Sequence, residues 1–106
     1  MPQILPRPFD CLSAMRALGE PTRLRLMRRL LEGPQSVTEL TEALGITTYN
    51  TSRHLSVLRN AGLVEVEPVA QQRIYNLAPG CRRRLRDKSH ILDLGCCSFD
   101  FDKLPE

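Results

Sequence analysis

The side chains best suited to specific chemistry lie in two places in this 106-residue chain. The first is an unbroken run of hydrogen-bonding residues from Thr47 to His54, which combines hydroxyl, amide, guanidinium and imidazole groups. Such groups can bond to the base edges and phosphates of nucleic acid. The second place is near the C-terminus, where Cys96 and Cys97 are adjacent. Thiolates are soft metal ligands and redox-active groups, so the two places predict different kinds of chemistry.

The hydrogen-bonding run opens a predicted helix that ends at Gly62. Thr47 can cap its N-terminus, and apolar residues recur at helical spacing only in its second half. A helix that is polar, uncharged and compact at its front and apolar at its back is suited to insertion into a DNA groove.

Three shorter helices are predicted before it from caps and breakers. Asp10 can cap a helix that ends at Gly19, and Glu20-Pro21 begins a second, arginine-rich helix. The apolar side of the first helix is then Phe9, Leu12, Met15 and Leu18. Arginines of the second helix can reach phosphate, solvate a face or make internal pairs.

A capping box at Ser36–Glu39 begins the third helix, which Gly45 ends directly before the hydrogen-bonding run. Two helices joined by so short a turn are typical of a helix-turn-helix. Because the turn needs a backbone conformation that β-carbons resist, a glycine at this point supports the assignment.

After Gly62 the apolar spacing changes to that of strands. The residues around 63–69 and 73–77 predict a β-hairpin, which directly after the DNA-inserting helix would be a wing. Its tip lacks the Asn-Gly dipeptide of the strongest hairpin signal. Pro79 then opens a last helix that Gly95 terminates, and the tail beyond it is either an extended segment or a disordered end.

Composition narrows the function classes. Residues 1–86 hold 13 Arg against seven Asp/Glu, whereas residues 87–106 hold two Lys against five Asp/Glu. A basic body with an acidic tail fits a polyanion-binding body, and a solvated surface with chance asymmetry fits the same charges. No apolar run approaches the roughly 20 residues of a membrane span, and the N-terminus lacks the apolar core of a signal peptide. We therefore expect a cytoplasmic protein with no membrane partner.

Neither enzyme motifs nor a secreted disulfide framework is evident. The chain has no phosphate-binding glycine loop, no nucleophile elbow and no Cys-x-x-Cys motif, so we expect no catalysis. In a reducing compartment the four cysteines are interpreted as free thiols, ligands or redox groups.

Four blocks of sequence resemble the ArsR/SmtB family of winged-helix repressors, which are small homodimeric bacterial regulators. The blocks lie in order between Ala17 and Leu77 and read ALGEPTRLRLMRRLLEG, SVTELTEALGI, TSRHLSVLRNAGLVEVE and RIYNL. The resemblance implies a homodimer formed through the first and last helices, bound to double-stranded operator DNA with an imperfect inverted repeat.

The predicted fold class is thus mainly α with a small β-hairpin (α+β), a winged helix-turn-helix in the order α-α-α-α-β-β-α. Residues 1–9 are predicted to be an irregular arm because they hold three prolines. Residues 10–95 form the DNA-binding and dimerisation domain, and residues 96–106 form a tail that begins with the cysteine pair.

By this resemblance, the front of the recognition helix and the wing tip contact DNA. The predicted contacts are Thr47, Thr48, Tyr49, Asn50, Thr51, Ser52, Arg53, His54, Gln71, Gln72 and Arg73. Asn50 can pair with adenine or cap its helix, and Ser52 can bond phosphate or its own backbone. Arg53 suits phosphate or guanine, and Arg73 suits phosphate or the minor groove. His54 can instead lie between helices.

The resemblance also implies an inducer, although the best-known metal sites of the family are absent. The helix at 37–44 has no cysteine, and the last helix lacks the paired zinc pattern. The remaining candidate is a site for As(III) or another soft metal ion at Cys96 and Cys97, with Cys11 as third ligand because the first and last helices pack together in the family. Cys81 is interpreted as a buried hydrophobic residue. No resident cofactor is required.

Two alternatives stay open. In a redox sensor, Cys96 or Cys97 would form a disulfide with Cys11 or with a cysteine of the other subunit. In a protein-interaction module without a ligand, the winged helix would bind a protein partner and the acidic, aromatic tail would dock as a peptide.

Overall fold

A computed structural model describes residues 10–86 and 90–104 of the chain. Its elements, in chain order, are α1 (Cys11–Leu18), α2 (Pro21–Leu31), β1 (Gln35–Ser36), α3 (Val37–Leu44), α4 (Thr48–Asn60), β2 (Val64–Val69), β3 (Gln72–Leu77), α5 (Pro79–Arg82), β4 (Ile91–Asp93) and β5 (Ser98–Asp100). The predicted arm at residues 1–9, and Phe9 with it, lies outside the described residues. Within the described ranges, no helix has the length and apolar character needed to cross a membrane.

The first four helices begin where the sequence places their caps. Side-chain oxygens of Asp10 and Glu20 accept backbone N–H groups at the starts of α1 and α2. Ser36 and Glu39 form the predicted capping box of α3, and the Thr47 hydroxyl accepts the Asn50 amide at the start of α4. These bonds satisfy amides that a helix otherwise leaves unpaired. The predicted starts of the four helices are confirmed.

Leucines from α2, α3 and α4 form the centre of the core, and the wing closes it. The buried apolar residues contributed by these elements are Leu26, Met27, Leu30, Leu40, Leu44, Leu55, Leu58, Val64, Tyr75 and Leu77. The three helices therefore hold one another by their apolar stripes, with α4 packed between α2 and the wing.

The buried side of α1 differs from the predicted one. Ala14, Ala17 and Leu18 are buried, whereas Leu12 is 53% exposed and Met15 39% exposed. The apolar side predicted for α1 is therefore not the side that packs on the core, because two alanines allow α1 to approach α2 and α4 more closely than the larger side chains would. Leu12 and Met15 are left on the outer side.

The wing is a three-stranded antiparallel sheet in the order β1-β3-β2. β2 and β3 pair from Val64↔Leu77 to Val69↔Gln72, which leaves Ala70 and Gln71 as the turn. Ala70 takes a φ of 56°, a left-handed conformation that disfavours a β-carbon. The short strand β1 was not predicted.

The predicted last helix, from Pro79 to Gly95, is wrong in its extent. α5 ends at Arg82, and β4 and β5 then form a second hairpin, here called the C-terminal hairpin, with Gly95 and Cys96 at its tip. Arg82 and Arg86 would repel each other four residues apart on a helix, and burial of Leu92 and Leu94 follows a period of two. This hairpin joins the predicted domain at 10–95 to the predicted tail at 96–106.

We predict that Ala70→Gly stabilises the protein by about 1 kcal/mol, because glycine adopts a positive φ without the steric cost that alanine carries. Urea unfolding at fixed protein concentration measures the change. Gly45→Ala is the reverse control, since Gly45 has a φ of 67° at the turn between α3 and α4. It should destabilise by a similar amount, and a loss of stability in Ala70→Gly would contradict the strain at Ala70.

Candidate nucleic-acid interface and thiol site

The turn between α3 and α4 presents the N-terminus of α4 to the outside. Gly45 ends α3 in the left-handed conformation, and its amide donates to the Thr41 carbonyl at 3.0 Å. The Arg25 guanidinium of α2 donates to the Leu44 carbonyl at 3.3 Å and so ties α2 to this turn. A helix-turn-helix needs a turn held in one geometry, because the turn sets the angle of the second helix.

The outer face of α4 carries the predicted DNA-contacting side chains. Thr47, Thr48, Tyr49, Asn50 and Arg53 are exposed, Tyr49 at 68%, and Ser52 is half-buried. The Arg53 guanidinium lies 5.6 Å from the centre of the Tyr49 ring, in cation–π range. Since Thr47 is the cap of α4, the alternative that Asn50 caps the helix is wrong, and its side-chain amide faces outward.

Thr51 does not belong to this face. It is fully buried, its hydroxyl donates to the Thr47 carbonyl at 3.0 Å, and it accepts the Thr41 hydroxyl of α3 at 2.9 Å. The prediction that Thr51 contacts DNA is wrong, because its hydroxyl is used to join α3 to α4. Helical spacing from Leu55 and Leu58 is the sequence signal that would have placed Thr51 on the inner side.

His54 lies between helices, as the second interpretation of this residue predicted. Its Nδ1 is 3.3 Å from the Glu20 carboxylate and 3.2 Å from the Arg23 guanidinium of α2. Arg23 also donates to the Ala17 carbonyl at the end of α1. Glu20, Arg23 and His54 therefore connect α1, α2 and α4 behind the exposed face, and we call this group the Glu20–His54 network.

The electrostatics of this network favour an ionised Glu20. Partial burial acts to raise the pKa of Glu20, but hydrogen bonds from the Thr22 and Arg23 amides and the charge of His54 outweigh it and lower the pKa below its ordinary value of 4.5. The carboxylate thus serves both as the cap of α2 and as the partner of His54.

At the wing tip, Gln71, Gln72 and Arg73 are all exposed. The Arg73 guanidinium donates to the Tyr75 hydroxyl at 3.2 Å and lies 5.9 Å from the centre of the Tyr75 ring. These contacts hold the Arg73 guanidinium along the wing, and within the described part of the chain its other N–H groups remain available.

The cysteine sulfurs form a second candidate site. Cys11, at the start of α1, forms a disulfide with Cys96 at the tip of the C-terminal hairpin, with the two Cα atoms 6.3 Å apart. The Sγ atoms of Cys11, Cys96 and Cys97 all lie within 4.8 Å of one another, and Cys97 is a free thiol. The three predicted ligands are therefore together, although a hairpin rather than a last helix brings Cys96 and Cys97 to α1.

Cys81 is separate from this site. It is fully buried, and burial, only partly opposed by the charges of Arg82 and Arg84, raises the pKa of Cys81 to about 12. A thiol that stays protonated is neither a good ligand nor a nucleophile, in agreement with its predicted structural role.

Two residues near the candidate sites were missed by sequence reasoning. The Met15 thioether lies 3.7 Å from Cys96 Sγ, and its spacing of four residues from Cys11 on α1 was the available signal. Arg28 of α2 donates to the Phe101 carbonyl and, at 3.0 Å, to the Leu104 carbonyl, so it anchors the segment that directly follows the C-terminal hairpin. No local pattern marks that contact.

A family model described as "Bacterial regulatory protein, arsR family" matches residues 20–66, from the cap of α2 into β2. The chain is 35% identical over 85 residues to the biofilm growth-associated repressor of Agrobacterium fabrum (strain C58), and the match covers 80% of this chain and 73% of that protein. It is 40% identical over 65 residues to the HTH-type transcriptional regulator NmtR of Mycobacterium tuberculosis (strain H37Rv), covering 61% of this chain. The chain spans about half the length of NmtR, 54%.

Solved structures show the same architecture. The homodimeric winged helix-turn-helix DNA-binding domain (fragment 1–100) of Mb0332 from Mycobacterium bovis, determined by solution NMR, superposes with a TM-score of 0.63 at 26% identity. The superposition covers 65% of this chain and 64% of that one. The predicted winged helix-turn-helix fold is confirmed.

We predict that Glu20→Gln lowers the free energy of unfolding by about 1 kcal/mol at neutral pH, because a neutral amide replaces a charged acceptor. Since the folded-state pKa of Glu20 is lowered, its stabilisation is complete above 4.5 and is lost as the pH falls through the folded-state value. Urea unfolding of both proteins from about pH 7 down to about pH 3 measures this loss.

Glu32→Gln, at the exposed C-terminal end of α2, is the matched control and should change stability little at any pH. A difference between wild type and Glu20→Gln that stayed constant across the pH range would show that the carboxylate charge is not the stabilising feature.

Proposed function

We propose that this chain, which belongs to the ArsR family of bacterial regulatory proteins, is a cytoplasmic transcriptional repressor that binds double-stranded operator DNA as a homodimer. The observation that carries the proposal is the outer face of α4, where exposed hydrogen-bonding side chains stand opposite a buried apolar face. Two relatives support it by their names, one as a repressor and one as a homodimeric DNA-binding domain.

The front of α4 would enter the major groove with its N-terminal turns against the base edges. Asn50, which is not needed as a cap, can pair with adenine through its amide. Arg53 can reach guanine or phosphate, and its contact with the Tyr49 ring limits the rotamers it must lose on binding. Thr47, Thr48 and Ser52 supply shorter hydroxyl contacts to the phosphates.

The wing would lie beside the groove. Gln71, Gln72 and Arg73 are exposed at its tip and would bond the DNA backbone or the adjacent minor groove. These contacts position the protein on the duplex, whereas sequence would be read mainly by α4.

The dimer contact is best placed on α1. Its outer side exposes Leu12 and Met15, an apolar surface that a second copy can cover. α5 has only four residues and its Cys81 is buried, so the predicted contribution of a last helix does not carry over. A two-fold dimer would set two α4 helices about 34–36 Å apart and so favour an inverted-repeat operator.

We predict that Arg53→Ala reduces the slope of log affinity against log salt by about two, because each dimer loses one phosphate contact per subunit at about 0.9 each. Fluorescence anisotropy with DNA from the chain's own upstream region, measured across salt concentrations, gives the slope.

Arg59→Ala is the matched control, since Arg59 is exposed on the same helix but lies in its last turn, about 9 Å further along the axis. It should leave the slope unchanged. DNA binding that is weak and independent of salt in the wild type would contradict the repressor and favour the protein-interaction module.

For the inducer, we propose As(III) or another thiophilic ion bound by Cys11, Cys96 and Cys97. The support is that their three sulfurs lie within 4.8 Å of one another and that thiolates are the ligands soft ions prefer. Binding would replace three S–H bonds on α1 and the C-terminal hairpin by three bonds to one ion, and would so fix the hairpin on the proposed dimer helix.

A redox sensor is the second candidate, and the Cys11–Cys96 disulfide is the observation that favours it. Formation of that bond would join the same two elements without an ion. In a reducing compartment a disulfide of this kind is typically transient and responsive rather than structural.

We predict that one equivalent of As(III) per subunit releases operator DNA from the fully reduced wild type, and that Cys96→Ser/Cys97→Ser stays bound because two of three ligands are lost. Cys81→Ala, which changes the buried thiol outside the site, should release DNA like the wild type. If As(III) leaves wild-type binding unchanged while oxidation weakens it, the redox sensor replaces the metalloid sensor.

A further inference from the structure

We propose that the thiol site has two mutually exclusive states, so that the Cys11–Cys96 disulfide blocks As(III) and bound As(III) blocks the disulfide. The proposal rests on the proposed inducer site and adds its regulation. The repressor would then respond to the metalloid only while its own thiols are reduced.

The exclusion follows from the number of sulfurs. The site holds three cysteine sulfurs, and the disulfide between Cys11 and Cys96 uses two of them. A sulfur in a disulfide has no thiolate to offer, so Cys97 alone remains as a ligand. One thiolate cannot chelate an ion that three thiolates hold together.

In the single chain both reactions can reach the site from solvent. Cys96 is exposed, while Cys11 and Cys97 are half-buried. A small disulfide can oxidise the pair by accepting two electrons: two cysteine thiols and one small disulfide yield the Cys11–Cys96 bond and two small thiols. As(III) binding is a substitution instead, in which arsenous acid and three thiols yield three As–S bonds and three waters.

Thermodynamic linkage then makes the effect reciprocal. Any ligand that binds only the reduced chain shifts the disulfide equilibrium toward that chain by the factor 1 + [L]/Kd. With As(III) at about 100 times its Kd, the ratio of disulfide to dithiol falls by about 100-fold. The metalloid would therefore protect its own sensor from oxidation.

The sulfur atoms of Cys97 and Met15, which lie beside the disulfide, allow the two states to be tested separately. Cys97 is needed for the ion but not for the disulfide, so it separates the two states experimentally. The Met15 thioether, 3.7 Å from Cys96 Sγ, is not required by either reaction, which makes Met15→Leu a control of similar volume at the same site.

The test uses the whole chain in two preparations, one reduced with a phosphine and one oxidised with glutathione disulfide, each freed of reagent. Bound arsenic is counted after equilibration with sodium arsenite. We expect about one As per reduced chain and near zero per oxidised chain, with re-reduction restoring the first value. In the reciprocal arm, arsenite at about 100 times its Kd should lower the ratio of disulfide to dithiol, at equilibrium in a buffer of glutathione and glutathione disulfide, about 100-fold.

Cys97→Ser should still form the disulfide, but should lose stoichiometric arsenic and the protection from oxidation. Met15→Leu should match the wild type in both arms. If oxidised chains bound as much arsenite as reduced chains do, the exclusion would be overturned while the proposed inducer would stand. Reduced chains that bind no arsenite would overturn both the exclusion and the proposed inducer. The salt dependence of DNA binding would still test the proposed repressor function independently.

Discussion

The candidate DNA interface depends on the burial of one side of α4. Thr51, Leu55 and Leu58 are fully buried against the rest of the core. Because successive helical residues turn by about 100°, this burial places Tyr49 and Arg53 roughly opposite, facing outward. Thr51 also fixes the rotation of α4 about its axis, since its hydroxyl accepts a hydrogen bond from the Thr41 hydroxyl of α3. Rotation of α4 would expose leucines and break that bond, so the outer face has one orientation.

The arginines of α2 connect α2 to other parts of the chain. Most of them are therefore not available to bind DNA phosphates. Arg23 donates to the end of α1, Arg25 to the turn before α4, and Arg28 to the segment that directly follows the C-terminal hairpin. A guanidinium suits this use because it presents several donors in a rigid plane to carbonyls at element ends. The positive charge of α2 is thus largely structural.

Features that depend on neighbouring residues in the sequence could be predicted, whereas features that depend on residues far apart in the sequence could not. The starts of α1 to α4 depend on a cap and amides within three residues, and the sequence predicts all of them. The prediction of the last helix was wrong because β4 is stabilised by pairing with β5. The spacing of Leu85 and Leu92 fits a helix as well as the β-bridge that these two residues form. Cys11 and Cys96 lie together for a different reason than the one predicted, since the C-terminal hairpin and not a helix carries Cys96 to Cys11. The conformation of Ala70 could not be inferred, because no glycine marks it.

On the proposed mechanism, the thiol site is connected to α4 by a short series of contacts through α1. α1 has eight residues and is about 12 Å long, with Cys11 in its first turn and the Ala17 carbonyl near its end. That carbonyl accepts the Arg23 guanidinium, which lies 3.2 Å from His54 on α4. On this mechanism, a displacement of α1 at Cys11 would act on Arg23 and, through it, on His54. The element proposed to carry the dimer contact would therefore also be the one that connects the thiol site to α4.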